Sequence, residues 1–343
     1  MSHPRIGVIG LGTMGRNHLR ILSDMENATL VSVCDASPEV AAGVAQKYGV
    51  AAYTSWREML DGESLDAAIV AAPTRHHFEI GLAALERQLH VLIEKPITST
   101  VNEARELVAA AAGRRCTLSV GHIERFNPAV RELRRRLSEG ELGRIFKIHT
   151  RRCGPFPDRI RDVGVVIDLA THDLDVIVYL LGAEPIRVFA ETARRIHTDH
   201  EDMLNALLRF ADGTVGVLDV NWLTPTKVRD ITVLGERGMF HVDYLAQDLS
   251  FYENDITHGI WDRLSSPAGV SEGNMTRFYI ARAEPLRLEL DAFLRCVVGA
   301  ASPEVTGQDG ERALRLAAEL VASGRSCQPH AVEPSLSAAM VAA

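Results

Sequence analysis

Arg5-Ile6-Gly7-Val8-Ile9-Gly10-Leu11-Gly12-Thr13-Met14-Gly15 runs from a short apolar segment into three glycines spaced G-x-G-x-x-G. The apolar residues read as a buried strand, and the stretch from Gly15 to Ser23 repeats its apolar positions at helical spacing. The glycines therefore fall on a strand-to-helix turn. In that setting the first allows a tight turn, the second leaves backbone open to close approach, and the third packs helix on strand. Outward from this turn the chain keeps alternating. Leu30–Cys34, Ala67–Ala71, His90–Ile93 and Thr117–Val120 read as strands, with helices at Pro38–Tyr48, Phe78–Arg87 and Val101–Ala112. Thr100 and Glu103 have the capping-box spacing at the start of the last helix. Such alternation predicts a doubly wound parallel sheet with both faces covered.

Helix N–H groups and the positive end of the helix dipole then face an anion at the glycine turn. Gly10, Gly12, Thr13, Met14 and Gly15 are the candidate contacts for a dinucleotide. Asp35 closes the second strand, twenty residues after Gly15. A carboxylate there accepts hydrogen bonds from the ribose hydroxyls and repels a 2′-phosphate. Ala36, Ser37 and Pro38 follow it, with no arginine. The expected cofactor is NAD rather than NADP.

After Gly121 the texture changes. A helix at Ala129–Leu137 leads to a strand at Arg144–Arg152, and a Gly/Pro loop precedes an amphipathic helix from Val165 to Leu181. Strand-like runs follow at Ile186–Arg194, Leu204–Phe210, Val215–Trp222, Asp230–Leu234, Met239–Tyr244 and Leu249–Tyr252. Asp212-Gly213 and Gly235–Gly238 read as hairpin turns. Helical periodicity returns at Pro285–Val298 and Gly310–Ser323, and the tail after Gln328 reads as extended or frayed. The expected second domain is a mostly antiparallel, open-faced sheet packed on helices. The domains divide as 1–122 for dinucleotide binding and 123–343 for substrate and oligomerisation, with C-terminal helices at about 285–325.

A chain of 343 residues suits two domains. Its net charge of −8 argues against nucleic-acid binding, which needs a basic surface. No apolar run approaches the ~20 residues of a membrane span, and Met1–Arg5 resembles no leader. The 5 cysteines are scattered without a CxxC pair, which suggests free thiols in a reducing cytoplasm and no metal site.

Two further motifs carry chemistry. Glu94-Lys95-Pro96 ends an apolar strand at the carboxyl edge of the sheet, where open α/β folds bind ligands. Asp168 and His172, four apart on a helix, share a face, and a carboxylate beside a histidine is a general acid/base arrangement. Together with Ala72-Pro73-Thr74-Arg75-His76-His77, these motifs resemble the Gfo/Idh/MocA oxidoreductase family from Arg5 to about Ser323. Many members have Asn where Thr74 stands.

The resemblance implies cofactor contacts from Pro73, Thr74, His77, Glu94 and Lys95, and a cis peptide before Pro96 that aims Lys95 into the site. It also implies a homodimer or homotetramer built on the open sheet face. The catalytic set it implies is Lys95, Asp168 and His172, and either His172 or Lys95 serves as the base. Gly121–Ala129 and Gly154–Gly164 resemble more narrowly the branch that oxidises C3 of UDP-N-acetylglucosamine, a step before an aminotransferase in diamino-sugar (lipid A type) synthesis. The expected ligand is thus a nucleotide sugar, with His122, Arg125, Asn127, Arg152, Arg159, Arg161, Lys227 and Arg229 as candidate contacts. Arginine forks match phosphate oxygens, although each of Arg152, Arg159, Arg161, Lys227 and Arg229 taken alone reads rather as a solvated rim residue. Another sugar, inositol or a UDP-sugar acid is the alternative substrate within the family, and a non-catalytic NAD-binding module is the alternative outside enzymes.

Overall fold

The computed structural model describes residues 3–157, 163–196, 199–255 and 271–333. Strands β1 (Arg5–Ile9), β2 (Thr29–Cys34), β3 (Ala51–Tyr53), β4 (Ala67–Val70), β5 (His90–Ile93) and β6 (Leu118–Val120) form a sheet of order β3-β2-β1-β4-β5-β6. Every pairing in it is parallel. Helices α1 (Thr13–Leu22), α2 (Pro38–Tyr48), α3 (Trp56–Gly62), α4 (His77–Glu86) and α5 (Val101–Arg114) supply the crossovers. All of β4 and most of β5 is buried, which explains their unbroken apolar sequence. The strand order reverses between β1 and β4, the switch point at which such sheets bind ligands beyond their carboxyl ends. Local caps match their chemistry. Thr100 and Glu103 form the expected capping box, and Gly49 ends α2 in the left-handed region at φ 67°. The short β3 and α3 were not expected from sequence.

The second sheet has the order β14-β13-β12-β11-β7-β10-β9-β8-β15. Its strands are β7 (Ile145–Pro155), β8 (Arg187–Ala193), β9 (Met203–Arg209), β10 (Val215–Asn221), β11 (Leu223–Gly235), β12 (Gly238–Asp243), β13 (Asp248–Asp255), β14 (Ser271–Phe278) and β15 (His330–Ala331). All pairings are antiparallel except β7 with β10. The short β15 gives part of the tail, read as extended or frayed, a place at the edge beside β8. Burial alternates along β9, β10 and β12, so one face of this sheet enters a core. There Ile148, Leu204, Leu218, Val220, Ile231, Val233 and Phe240 meet Leu174 and Ile177 of α7 (Thr171–Leu181) and Val130 and Leu133 of α6 (Pro128–Ser138).

The chain forms two compact units, one running to Phe126 with Glu284–Arg315, the other Asn127–Ala283 with the chain from Leu316 onward. The expected unbroken second domain from 123 to 343 is corrected here. Helix α8 (Pro285–Val297) places Leu286, Leu290, Phe293 and Leu294 in one core with Ile6, Val8, Leu19 and Leu92. An apolar stripe that completes the first core brings that segment back to it. Helix α9 (Gly307–Ser326) contributes Leu316, Ala317 and Leu320 to the second core. Among the described residues no helix is long and apolar enough to cross a membrane.

Candidate active site

The glycine turn has the shape that the sequence requires of it. Gly10 sits at φ +90°, and a Cβ there would lie 2.4 Å from Ala72 N. A Cβ on Gly15 would lie 1.9 Å from Gly10 O, so neither position accepts a side chain. At Gly12 an added Cβ meets nothing within 4 Å, leaving this backbone open to approach. No side chain caps α1 and no acid lies in its first turn, so its leading N–H groups face outward beside Gly12. That is the arrangement a pyrophosphate needs.

Asp35 is anchored beside the turn. Its carboxylate accepts from Leu11 N at 2.8 Å and from Ser37 N at 3.0 Å. These bonds orient the carboxylate at the end of β2, and a dinucleotide with a free ribose fits this donor and acceptor set. Catalytic efficiency with NAD is therefore expected to exceed that with NADP at least tenfold. Equal or better use of NADP⁺ in steady-state assays would remove the argument from charge at Asp35.

The end of β5 carries a denser polar cluster than sequence suggested. The peptide Lys95-Pro96 is cis, as the family resemblance implied. Glu94 is buried, and His18 Nε2 of α1 donates to its Oε1 at 2.7 Å. Burial raises the Glu94 carboxyl, but the bond and charge of His18, with Lys95 and His77, hold it below the ordinary carboxylate range. His77 was expected at the cofactor. Its two ring nitrogens lie 2.9 Å from Pro96 O and 2.7 Å from Ala72 O, so the ring ties the loop after β4 to that after β5. Burial holds this imidazole below its usual value, against the two carbonyls and Glu94. Lys95 itself is half-buried, as is Thr74, and Pro73 is exposed.

In the second unit, a π-helical turn at Val166–Ala170 runs into α7, with Asp168 in the first and His172 in the second. Both side chains are half-buried. A π turn inside a helix often marks a functional position. Glu201, absent from the sequence reading, holds this helix start. Its carbonyl accepts from Val165 N at 2.9 Å, and its carboxylate would clash with any Cβ on Gly164, at 2.0 Å. A carboxylate there also complements the helix dipole.

Several residues read as substrate contacts have other work. Arg152 is 2 % exposed, and its Nε donates to Asp173 Oδ2 at 2.8 Å, directly after His172. Its guanidinium also lies over the Tyr244 ring, 5.4 Å from the centroid. It is a buried partner of the histidine helix, not a rim cation. Removing one member of such a pair strands the other charge, so Arg152→Ala is expected to cost about 3–5 kcal/mol in denaturant unfolding. Wild-type stability in that variant would refute the pair's role.

Arg125 is likewise buried, bonded to Glu304 O at 3.2 Å and paired with Asp309 at 3.0 Å. Burial opposes ionisation of Asp309, yet Arg125, the Thr306 N–H and Arg312 bring it down to about 2. Asn127 caps α6 through Ala129 N at 3.1 Å and donates to Tyr244 O at 3.1 Å. His122 is 2 % exposed. Lys227 is exposed and Arg229 half-buried, both on β11. Arg159 and Arg161 lie outside the described residues. Among the described residues no group of three or more His, Cys, Asp or Glu side chains is arranged to hold a metal.

A doubly wound sheet with an open glycine turn, an acid at the end of β2 and a lysine at the end of β5 defines an NAD-binding oxidoreductase unit. Comparison with known proteins agrees. Residues 4–122 match the oxidoreductase family with NAD-binding Rossmann fold, and 130–241 match the GFO/IDH/MocA C-terminal domain. The chain belongs to the Gfo/Idh/MocA oxidoreductase family. It is 30% identical over 320 residues to UDP-N-acetylglucosamine 3-dehydrogenase from Acidithiobacillus ferrooxidans, covering 93% of this chain and 97% of that protein. A solved structure of that enzyme superposes with a TM-score of 0.82, over 96% of this chain and 100% of the other. The myo-inositol 2-dehydrogenase of Thermotoga maritima is 28% identical, covering 91% of this chain and 93% of its own.

Proposed function

We propose that the protein oxidises the C3 hydroxyl of UDP-N-acetylglucosamine to the 3-keto sugar, with NAD⁺ as acceptor. The observation that carries this reading is the 30% identity, nearly end to end, to an enzyme named for that reaction. The Gly121–Ala129 and Gly154–Gly164 stretches support it. When bound, NAD⁺ takes up the hydrogen and electron pair of the carbinol C–H bond. His172 accepts the proton of the same hydroxyl as the carbonyl forms. Lys95 donates a hydrogen bond to that oxygen and stabilises its developing negative charge. Asp168 orients His172. With Arg125, Arg152 and Asn127 engaged in their own units, Arg159, Arg161, Lys227 and Arg229 remain the candidate cations for the diphosphate.

The product suits an aminotransferase, which condenses an amine with a ketone. For assembly we propose a homodimer or homotetramer on the outward face of the second sheet. There Val215, Leu234, Met239, Tyr252 and Met275 share one cross-strand row with Lys147. Reduction of NAD⁺ followed at fixed enzyme concentration tests the substrate. UDP-N-acetylglucosamine is expected to turn over at least a hundredfold more efficiently than myo-inositol. The reverse ranking would assign the protein to the inositol dehydrogenases of its family.

A further inference from the structure

Glu289 lies in the first unit on α8, on the same stripe as Leu286, Leu290 and Phe293. It is 2 % exposed, and neither carboxyl oxygen has a hydrogen-bond partner. A buried carboxylate without a donor is costly, and such a group keeps its proton instead. Two helices pack here, α8 against α1, and α1 contributes His18, fully buried, whose Nδ1 is also without a partner. His18 gives its Nε2 bond to Glu94 and none to Glu289.

Helix α1, which packs on α8, carries Arg16, His18 and Arg20; Arg16 donates to Leu11 O and Arg20 is paired with Glu284. On α8 itself stand Arg287, Asp291 and Arg295. The 3-10 turn Ile123–Phe126, which also packs on α8, brings Glu124 and Arg125, and Arg125 is paired with Asp309. Beyond β5 stand Glu94 and Lys95, with His77 held between two carbonyls. Burial pushes the Glu289 carboxyl well above the ordinary range, and the charge of Glu94 adds to it. Two buried carboxyls within electrostatic reach do not both ionise, and the donor at Glu94 decides which one does.

We propose that Glu289 is a positioning residue for the Lys95 end of β5, standing as a neutral carboxylic acid so that no second buried charge joins the Glu94 carboxylate beside Lys95. This rests on the catalytic reading of Lys95 given above. Ionising Glu289 would add a second buried charge beside the His18–Glu94 pair and disturb the field at Lys95.

A raised carboxyl has a definite sign in pH-dependent stability. Below the ordinary carboxylate range both folded and unfolded chains hold the proton. Above it the unfolded chain releases a proton that Glu289 keeps, so the folded state loses ground with each pH unit until Glu289 ionises. Glu289→Gln removes that slope while keeping size and neutrality. The difference in Tm between Glu289→Gln and the wild-type full chain is expected to move by roughly 2–5 °C per pH unit in favour of the variant, from pH 5 upward. The alkaline limb of kcat/KM is expected to move to higher pH in the same variant. Glu289→Leu, neutral as well, should share the flattened stability profile. In the wild-type protein a carboxylic-acid C=O stretch should persist in the infrared at pH 7 and disappear in either variant.

Stability profiles parallel to wild type, or no persisting acid stretch, would overturn the neutral acid. An unchanged alkaline limb would overturn the positioning role. Full turnover in Lys95→Ala would overturn the catalytic reading and leave the stability and infrared results standing, so the two failures are distinguishable.

Discussion

Replacing His172 by alanine is expected to lower turnover about 10²–10⁴-fold while leaving NAD affinity close to wild type, and Lys95→Ala is expected to do the same. Removing a hydroxyl proton and stabilising the oxygen it leaves are separate tasks, and each residue type suits one of them. An imidazole takes protons near neutral pH, whereas an ammonium is a compact donor for a developing alkoxide. Neither side chain belongs to the glycine turn or to the Asp35 acceptor set that recognises the dinucleotide. Cofactor titration by fluorescence should therefore separate binding from chemistry. Asp168→Asn should fall less steeply, because it acts through His172. Near-normal kcat in His172→Ala would move the base to Lys95. A matching collapse of NAD binding in Lys95→Ala would show that the lysine holds cofactor and leave its chemistry unproven.

What was readable in advance follows from the range of each interaction. The glycine turn, Asp35 and the capping box of α5 are encoded within a few residues, and the structure builds each where the residues stand. The strands β3 and β14 were missed. Three residues carry no period, and Ser271–Phe278 is too polar to announce a strand. The return of α8 to the first core depends on partners far upstream, Ile6, Val8, Leu19 and Leu92 among them, which no local pattern reports. Burial of polar groups was the largest blind spot. Arg125, Arg152 and Asn127 were expected to meet substrate, yet each is buried and engaged inside its own unit. Sequence did hold one unused signal. Glu289 and His18 sit among apolar residues on amphipathic helices, where an acid or a histidine must find a buried role.

Free N-acetylglucosamine is expected to be a very poor substrate beside its UDP-linked form. Hydrogen bonds to charged groups contribute about 1.5–3 kcal/mol each. Two arginine contacts to a diphosphate then amount to a few powers of ten in affinity, which the free sugar forfeits. The loss should appear mainly in the Michaelis constant, because the diphosphate is remote from C3 and binds alike in ground and transition states. Arg159→Ala and Arg161→Ala should show the same pattern, with KM rising more than kcat falls. Arg152→Ala is the informative contrast. Its Nε holds the buried Asp173, so that variant should lose stability and kcat together. UDP alone should compete with substrate in the wild type and lose that competition in the Arg159 and Arg161 variants. Comparable kcat/KM for free and UDP-linked sugar would eliminate the nucleotide-sugar assignment, because no diphosphate contact could then be contributing to recognition.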